Sequence, residues 1–310
     1  MAKFDWKVPQ TQEGMQKLLA MIEEARGSAD YRELGYGLME LANLVKWVPG
    51  VPNAFQESTR FGLEAISSFR HTDDRFGLAK ALVRTVDMFD RAGTLARLAE
   101  AETIAAELGD QAVMAMVLAA KGRSLAASDP IQARAATEQA LTSYRAIDDK
   151  VGQARCLFSL AITGDDSSTK FERAIEAAGL FEASGLLDDA ARSLSIALMN
   201  AQRTQGLDVQ EAVTQRGLKL AQTSGNRSLE QGSYKALARI ATEKGDFESA
   251  HKYLRWHDEL QDADGITPTE RWKHNIEMTK MMISVAKAQK NPDMIKGFQD
   301  ELKRLKSQKP

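Results

Sequence analysis

The stretch Tyr234–Leu254, YKALARIATEKGDFESAHKYL, decides how this chain is read. Tyr234, Leu237, Ala238 and Ala241 recur at helical intervals, and Phe247, Ala250 and Leu254 resume that period after Gly245-Asp246. The glycine-aspartate pair marks a turn between two helices. Ala238 beside Leu237, and Ala250 beyond the turn, are small enough to let the two helices approach closely. A pair of helices is thus the expected unit.

The unit repeats outward from this stretch. Leu82, Leu118, Leu157, Ile196 and Leu237 occupy equivalent places, with spacings of 36, 39, 39 and 41 residues. An acidic or glycine-containing turn precedes most of them, at 72–74, 109–110, 148–149, 188–189 and 225–226. Ala79, Ala115 and Ala154 each lie five residues after Asp74, Asp110 and Asp149, and the first three leucines lie eight after. A second punctuation, at 92–94, 129–130, 164–166, 206–208 and 245–247, halves each unit. Two helices of about 15 residues per unit follow from this spacing. A lone pair cannot bury its apolar face, whereas stacked pairs share a continuous core.

Composition agrees with helix throughout. Ala, Leu, Glu, Gln, Lys, Arg and Met dominate, and these are strong helix formers. Alternating β-branched runs are almost absent, so no sheet is expected. The seven prolines fall between the apolar-periodic segments. The chain has 310 residues, 41 Lys and Arg against 43 Asp and Glu, 43% hydrophobic residues and one cysteine. Such apolar content with a net charge of -2 excludes intrinsic disorder. One cysteine excludes a disulfide framework and a thiolate zinc site. Cys156, in the run CLFSLAI, is expected to be a small buried hydrophobe. The first ten residues lack the apolar run of a secretory signal, and no uncharged apolar stretch approaches 18 residues. A cytoplasmic protein without a membrane partner is expected.

The Tyr234–Leu254 segment resembles a tetratricopeptide (TPR) repeat, with large first-helix residues, small Ala238, the Gly-Asp turn and Ala250 in place. The stretch from Ala140 through Leu157 is similar to the repeat boundary in long-period TPR arrays, such as those of kinesin light chains and large bacterial signal-transducing regulators. The resemblance covers about residues 30–265. The units are longer than the family's 34 residues, aliphatic residues replace most aromatic first-helix positions, and the repeat-end proline is missing. HEAT-like packing is the nearest alternative. The resemblance implies an all-α, TPR-like α-α superhelix of about seven helical hairpins. Residues 1–29 would hold a capping helix, with Met15, Leu18, Leu19 and Ile22 on one side. Residues 30–265 would form the array, and 266–310 a divergent hairpin with a basic tail.

Chemistry-bearing motifs are missing from the sequence. Phosphate-binding glycine loops, HExxH, GxSxG and CxxC do not occur. His251 and His257 lie six residues apart and so on different helix faces, and His71 falls in a turn beside Asp73 and Asp74. Glu270 with His274, and Glu277 with Lys280, read as surface pairs. No catalytic residue, metal site or cofactor is expected, and an enzyme is not. From Glu270 to Pro310 there are ten basic and five acidic residues, +5 in all, which leaves -7 for 1–269. Cations biased toward a helix C-terminus and a solvated tail are the expected reading, and a basic end that meets an acidic peptide or nucleic acid is the alternative. Aromatic platforms for bases are sparse, which disfavours nucleic acid.

In TPR proteins the first helix of each repeat lines the concave surface where peptides dock. The resemblance carries this role to Lys80 and Arg84, to Arg155 and Ser159, and to Lys235 and Arg239. Each pair is four residues apart, on one helix face. Five of the six are basic, which suits acidic side chains or a peptide carboxylate. The expected function is a non-enzymatic scaffold or adaptor that binds a protein or acidic peptide. A sensor subunit that binds a small signal molecule or peptide and changes superhelix curvature is the alternative.

Overall fold

A computed structural model describes residues 6, 8–9, 11–46, 48, 50–85, 90–164, 166–262 and 268–308. Among these residues the chain forms fifteen helices and no strand. Contacts divide it into two compact units, 1–159 and 160–310. The first holds α1 (Gln12–Gly27), α2 (Tyr31–Leu44), α3 (Ala54–Arg70), α4 (Arg75–Arg84), α5 (Arg91–Leu108), α6 (Gln111–Leu125) and α7 (Pro130–Ala146). α8 (Lys150–Thr163) runs through the division. The second holds α9 (Ser167–Ala183), α10 (Leu187–Thr204), α11 (Leu207–Ser224), α12 (Arg227–Lys244), α13 (Phe247–Asp262), α14 (Pro268–Ala288) and α15 (Pro292–Ser307). Within unit 1, α2 packs with α3, α4 with α5 and α6 with α7; within unit 2, α10 packs with α11, α12 with α13 and α14 with α15, the helix pairs that the repeat spacing predicts.

A single local device closes many of the turns. One residue after the helix adopts left-handed backbone, and the next N–H reaches back five residues to a carbonyl. At α5–α6, Gly109 has φ +61° and Asp110 N–H donates to the Ala105 carbonyl at 3.2 Å. At α12–α13, Gly245 has φ +80° and Asp246 N–H donates to Ala241 at 2.9 Å. The same aspartates then accept from the first turn of the next helix, Asp110 from Val113 N–H and Asp246 from Ser249 N–H. Glycine enters the left-handed region without penalty, and the carboxylate satisfies an orphan donor. Ala29, Asp148 and Lys290 occupy the left-handed position in three other turns, at φ +52°, +56° and +53°. The expected turn at 188–189 lies earlier, at Gly185-Leu186, and Asp188 and Asp189 sit inside the first turn of α10. The positive end of the helix dipole accommodates them there. Pro130, Pro268 and Pro292 open their helices, where no amide hydrogen is needed.

Packing uses small residues as sockets. Phe69 of α3 is 1% exposed, and its ring lies where α2 and α4 have glycine. A Cβ on Gly35 would fall 2.7 Å from that ring, and one on Gly77 would fall 2.4 Å from it. Tyr144 of α7 meets Gly152 of α8 in the same way. Leu82, Leu157 and Leu237 are buried as the register predicts. Leu118 and Ile196 are only half-buried, because Val113, Val117 and Ala120 fill the core side of α6, and Leu194 and Ala197 that of α10. On α1, Leu18 and Ile22 are buried but Leu19 is 37% exposed, so it does not share their face. Trp6 is buried at this end, where its indole N–H donates to Glu33.

Within unit 1, α2 touches α4 and α4 touches α6; within unit 2, α10 touches α12 and α12 touches α14. These second-neighbour contacts put the even-numbered helices on the inner side of each unit. A buried carboxylate pins one such contact. Asp74 caps α4 through Gly77 N–H and accepts from the Tyr36 hydroxyl and the Arg32 guanidinium of α2, at 2.9 and 2.8 Å. Burial alone would raise its pKa, but the Gly77 amide, Tyr36 and Arg32 together hold it below the ordinary carboxylate range.

Gly77→Ala should destabilise the protein by about 1–3 kcal/mol, because the Phe69 ring must give way. Ala29→Gly should raise stability by up to about 1 kcal/mol, since a positive φ suits glycine. Thermal or urea unfolding checks both. The stability that Asp74 contributes is present above its unfolded pKa of about 4 and is lost as pH falls through its lower folded value. Asp74→Asn should therefore lower stability at pH 7 by about 1.5 kcal/mol, with the gap to the native protein closing below pH ~3.

Candidate functional site

The six residues assigned to the groove all lie on even-numbered helices. Lys80 and Arg84 are on α4, Arg155 and Ser159 on α8, and Lys235 and Arg239 on α12. Four belong to unit 1 and two to unit 2, and their surroundings differ.

In unit 1, α4 places Lys80 and Arg84 one turn apart beside α2. The Lys80 ammonium sits 4.1 Å from the centroid of the Phe76 ring, and Arg84 meets Glu40 at 3.3 Å. Lys46, two residues beyond α2, joins them half-buried. Burial, then the positive charge of Arg84, pushes the Lys46 ammonium down. Burial and Arg84 likewise lower Lys80, against the pull of Asp110, Asp74 and Glu40. Neither lysine has a carboxylate at ion-pair distance among the described residues. Lys46 lies in a turn outside the repeat register, so spacing gave no signal for it.

Further along, Arg155 of α8 is exposed and Ser159 half-buried. Arg155 acts on Arg123 of α6, a second residue that register did not single out. Arg123 keeps an exposed side chain. Even so, burial by the surrounding helices pushes its guanidinium down, and Arg155 adds to this against the opposing influence of Tyr144 and Cys156.

In unit 2, Lys235, Arg239 and Lys244 of α12 meet carboxylates of the chain itself. Lys235 pairs with Glu277 of α14. Arg239 meets Glu243 at 2.6 Å and donates to the Gln210 side-chain oxygen at 2.9 Å. Lys244, at the end of α12, bridges Asp208 and Glu211 of α11. Glu277 was expected to pair with Lys280 on its own helix; its contact with Lys235 is 42 residues away in sequence. The Glu270 and His274 side chains lie outside the described residues. In the C-terminal segment, Arg304 pairs with Glu301 and Lys303 with Asp300.

Among the described residues no group of three or more potential metal ligands is present. Among them, no helix is long and apolar enough to cross a membrane. Cys156 is 2% exposed, and burial pushes its thiol up to about 11 although Arg123 acts in the opposite direction. A thiol that stays protonated is a poor nucleophile. Its reaction with Ellman's reagent at pH 8 should be at least about 100-fold slower in the native protein than in urea.

No family model matches the chain, and no curated protein matches it in sequence. Among solved structures it is similar to BtubC (BKLC) from P. vanneervenii, with 16% identity, a TM-score of 0.41, and coverage of 82% of this chain and 92% of that one. It is also similar to a circular tandem repeat protein with novel repeat topology and enhanced subunit contact surfaces. There the identity is 14% and the TM-score 0.28, over 95% of this chain and 76% of that one. Likeness at this level carries no argument about function.

Proposed function

We propose that this chain is a non-enzymatic interaction scaffold of the tetratricopeptide-like type, which docks a protein or peptide segment across its even-numbered helices. The observation that carries this reading is the second-neighbour packing of those helices in each unit, with exposed or half-buried polar side chains turned away from the core. The turn at Gly245-Asp246, with buried Leu237 and Ala238 before it and buried Ala250 and Leu254 after it, supports the TPR-like assignment. Ala250 is fully buried, as close helix approach requires. Neighbouring parallel inner helices offer a row of side chains, one or two per helix, to a chain lying across them.

Site-specific photo-crosslinking tests the reading. A photoreactive residue at Arg84, exposed on inner helix α4, should capture one discrete partner in cell extract, competed by excess unlabelled protein. The same residue at Ile131, 74% exposed on α7, should not. Equal capture from both faces, or none from the inner one, overturns the proposal. In unit 2, Lys235→Glu with Arg239→Glu removes exposed pairs worth a few tenths of a kcal/mol each and adds repulsion from Glu277 and Glu243. Denaturant unfolding should show a loss below about 2 kcal/mol, with the helix content unchanged.

A further inference from the structure

We propose that the slot between α1 and α2 that holds Trp6 is a self-recognition site, and that two copies of this chain pair by exchanging the segment that precedes α1. None of the groove residues takes part. Trp6 is 8% exposed although it lies outside the helices. Its indole N–H donates to the Glu33 carboxylate of α2 at 2.8 Å. Its ring lies against Gly37, one turn further along α2, where a Cβ would fall 2.5 Å from it. Ile22 of α1 borders the same socket, 3.0 Å from that Cβ position. Val8, two residues after Trp6, packs half-buried on the same core. Gly37 stands seven residues after the cap Asp30. Ala81 and Val117, seven after the caps Asp74 and Asp110, carry side chains and are fully buried. Glycine in a helix interior is destabilising relative to alanine. At this one repeat it opens a socket for a ring that comes from outside the helices.

The link to α1 serves as the hinge. Thr11, the N-cap of α1, donates its N–H to the Pro9 carbonyl at 2.8 Å, so the chain turns sharply within three residues. That carbonyl sits 2.1 Å from where a Cβ on residue 14 would fall, and Gly14 makes the room. Straightening this one turn carries Trp6 away from its own α1 and leaves the helices intact. In a second copy Trp6 meets the same carboxylate, the same glycine socket and the same Ile22, so the exchange loses none of these contacts. Exchange is reciprocal, which closes the assembly at a dimer. Within one chain the tether keeps the segment at high effective concentration, so the closed form dominates in dilute solution and exchange takes over when the internal contact is blocked. The slot takes a ring that carries a hydrogen-bond donor, followed two residues on by an apolar side chain. Phenylalanine at position 6 fills the socket but donates nothing to Glu33.

Two full-length variants separate donor from acceptor. Gly37→Leu fills the socket of its own chain and releases Trp6, whereas Trp6→Ser leaves the socket open. Mixed in equal amounts, the two should elute together in light scattering at twice the 34.1 kDa mass of the chain, and each alone should run at that single mass. A donor that carries both Gly37→Leu and Trp6→Ser should not pair with the acceptor. A fluorescein-labelled peptide of residues 2–11 should bind Trp6→Ser, as read by anisotropy. The same peptide with Trp6→Phe should bind at least about tenfold more weakly, for want of the hydrogen bond to a charged acceptor. Wild-type protein, whose slot is closed, should also bind the peptide at least about tenfold more weakly than Trp6→Ser does. Circular dichroism melting confirms that each variant folds. If Gly37→Leu does not fold, the peptide measurement on Trp6→Ser decides, and Trp6→Ala replaces an acceptor that does not fold. A mixture of folded donor and acceptor that stays at single mass overturns the proposal. So does pairing that persists when the donor lacks Trp6, a peptide that fails to bind the open slot, or equal binding of the phenylalanine peptide.

Discussion

The backbone hydrogen bond that reaches back five residues across a left-handed residue is the contact on which the fold depends. It ends a helix, reverses the chain and leaves the next residue in place to cap the following helix. Asp110, Asp246 and Asn226 each do both jobs, donating backward through the backbone and accepting forward through the side chain. A turn of two residues leaves little freedom in how consecutive helices meet. The acceptors are often alanines, among them Ala105, Ala221, Ala241 and Ala286. A small side chain in the last turn lets the returning helix pack closely against it.

Given those turns, the remaining choice is how deeply each helix beds into its neighbours. Glycines at Gly35 and Gly77 make room for Phe69, and Gly152 makes room for Tyr144. Each socket trades helix propensity, about 1 kcal/mol for a glycine, against the burial of a large ring. The result brings α2 and α4 close enough for Asp74 to join them through Tyr36 and Arg32. The same close approach crowds Lys46, Lys80 and Arg84. Packing and surface electrostatics are therefore coupled: the contacts that seat the inner helices also concentrate positive charge on them.

The helix positions of the six residues that the resemblance assigns to a groove follow from the sequence, since a fixed offset from the turn places Lys80 and Arg155 on the same part of their helices. Their electrostatic standing was not legible. Lys235 and Lys80 read alike in sequence, yet one meets a glutamate 42 residues away and the other lies against a ring with no carboxylate bonded to it. Lys46 and Arg123 lay outside the register and carried no periodic signal. Leu118 and Ile196 shared the spacing of buried leucines but were displaced from the core by the β-branched, leucine and alanine residues of their own helices.

The sequence by itself determined the helices, their number and most of the turns, because glycine, aspartate, proline and a 3.6-residue period act within a few residues of where they stand. It also determined that Cys156 is a core residue, since an apolar run has one place to go. Only the tertiary structure decided which cations are answered and which are not. Ion pairs such as Lys235 with Glu277, or Arg84 with Glu40, join residues about 40 apart. Which charges meet depends on side-chain reach across packed helices, a length of several ångströms that no local pattern encodes.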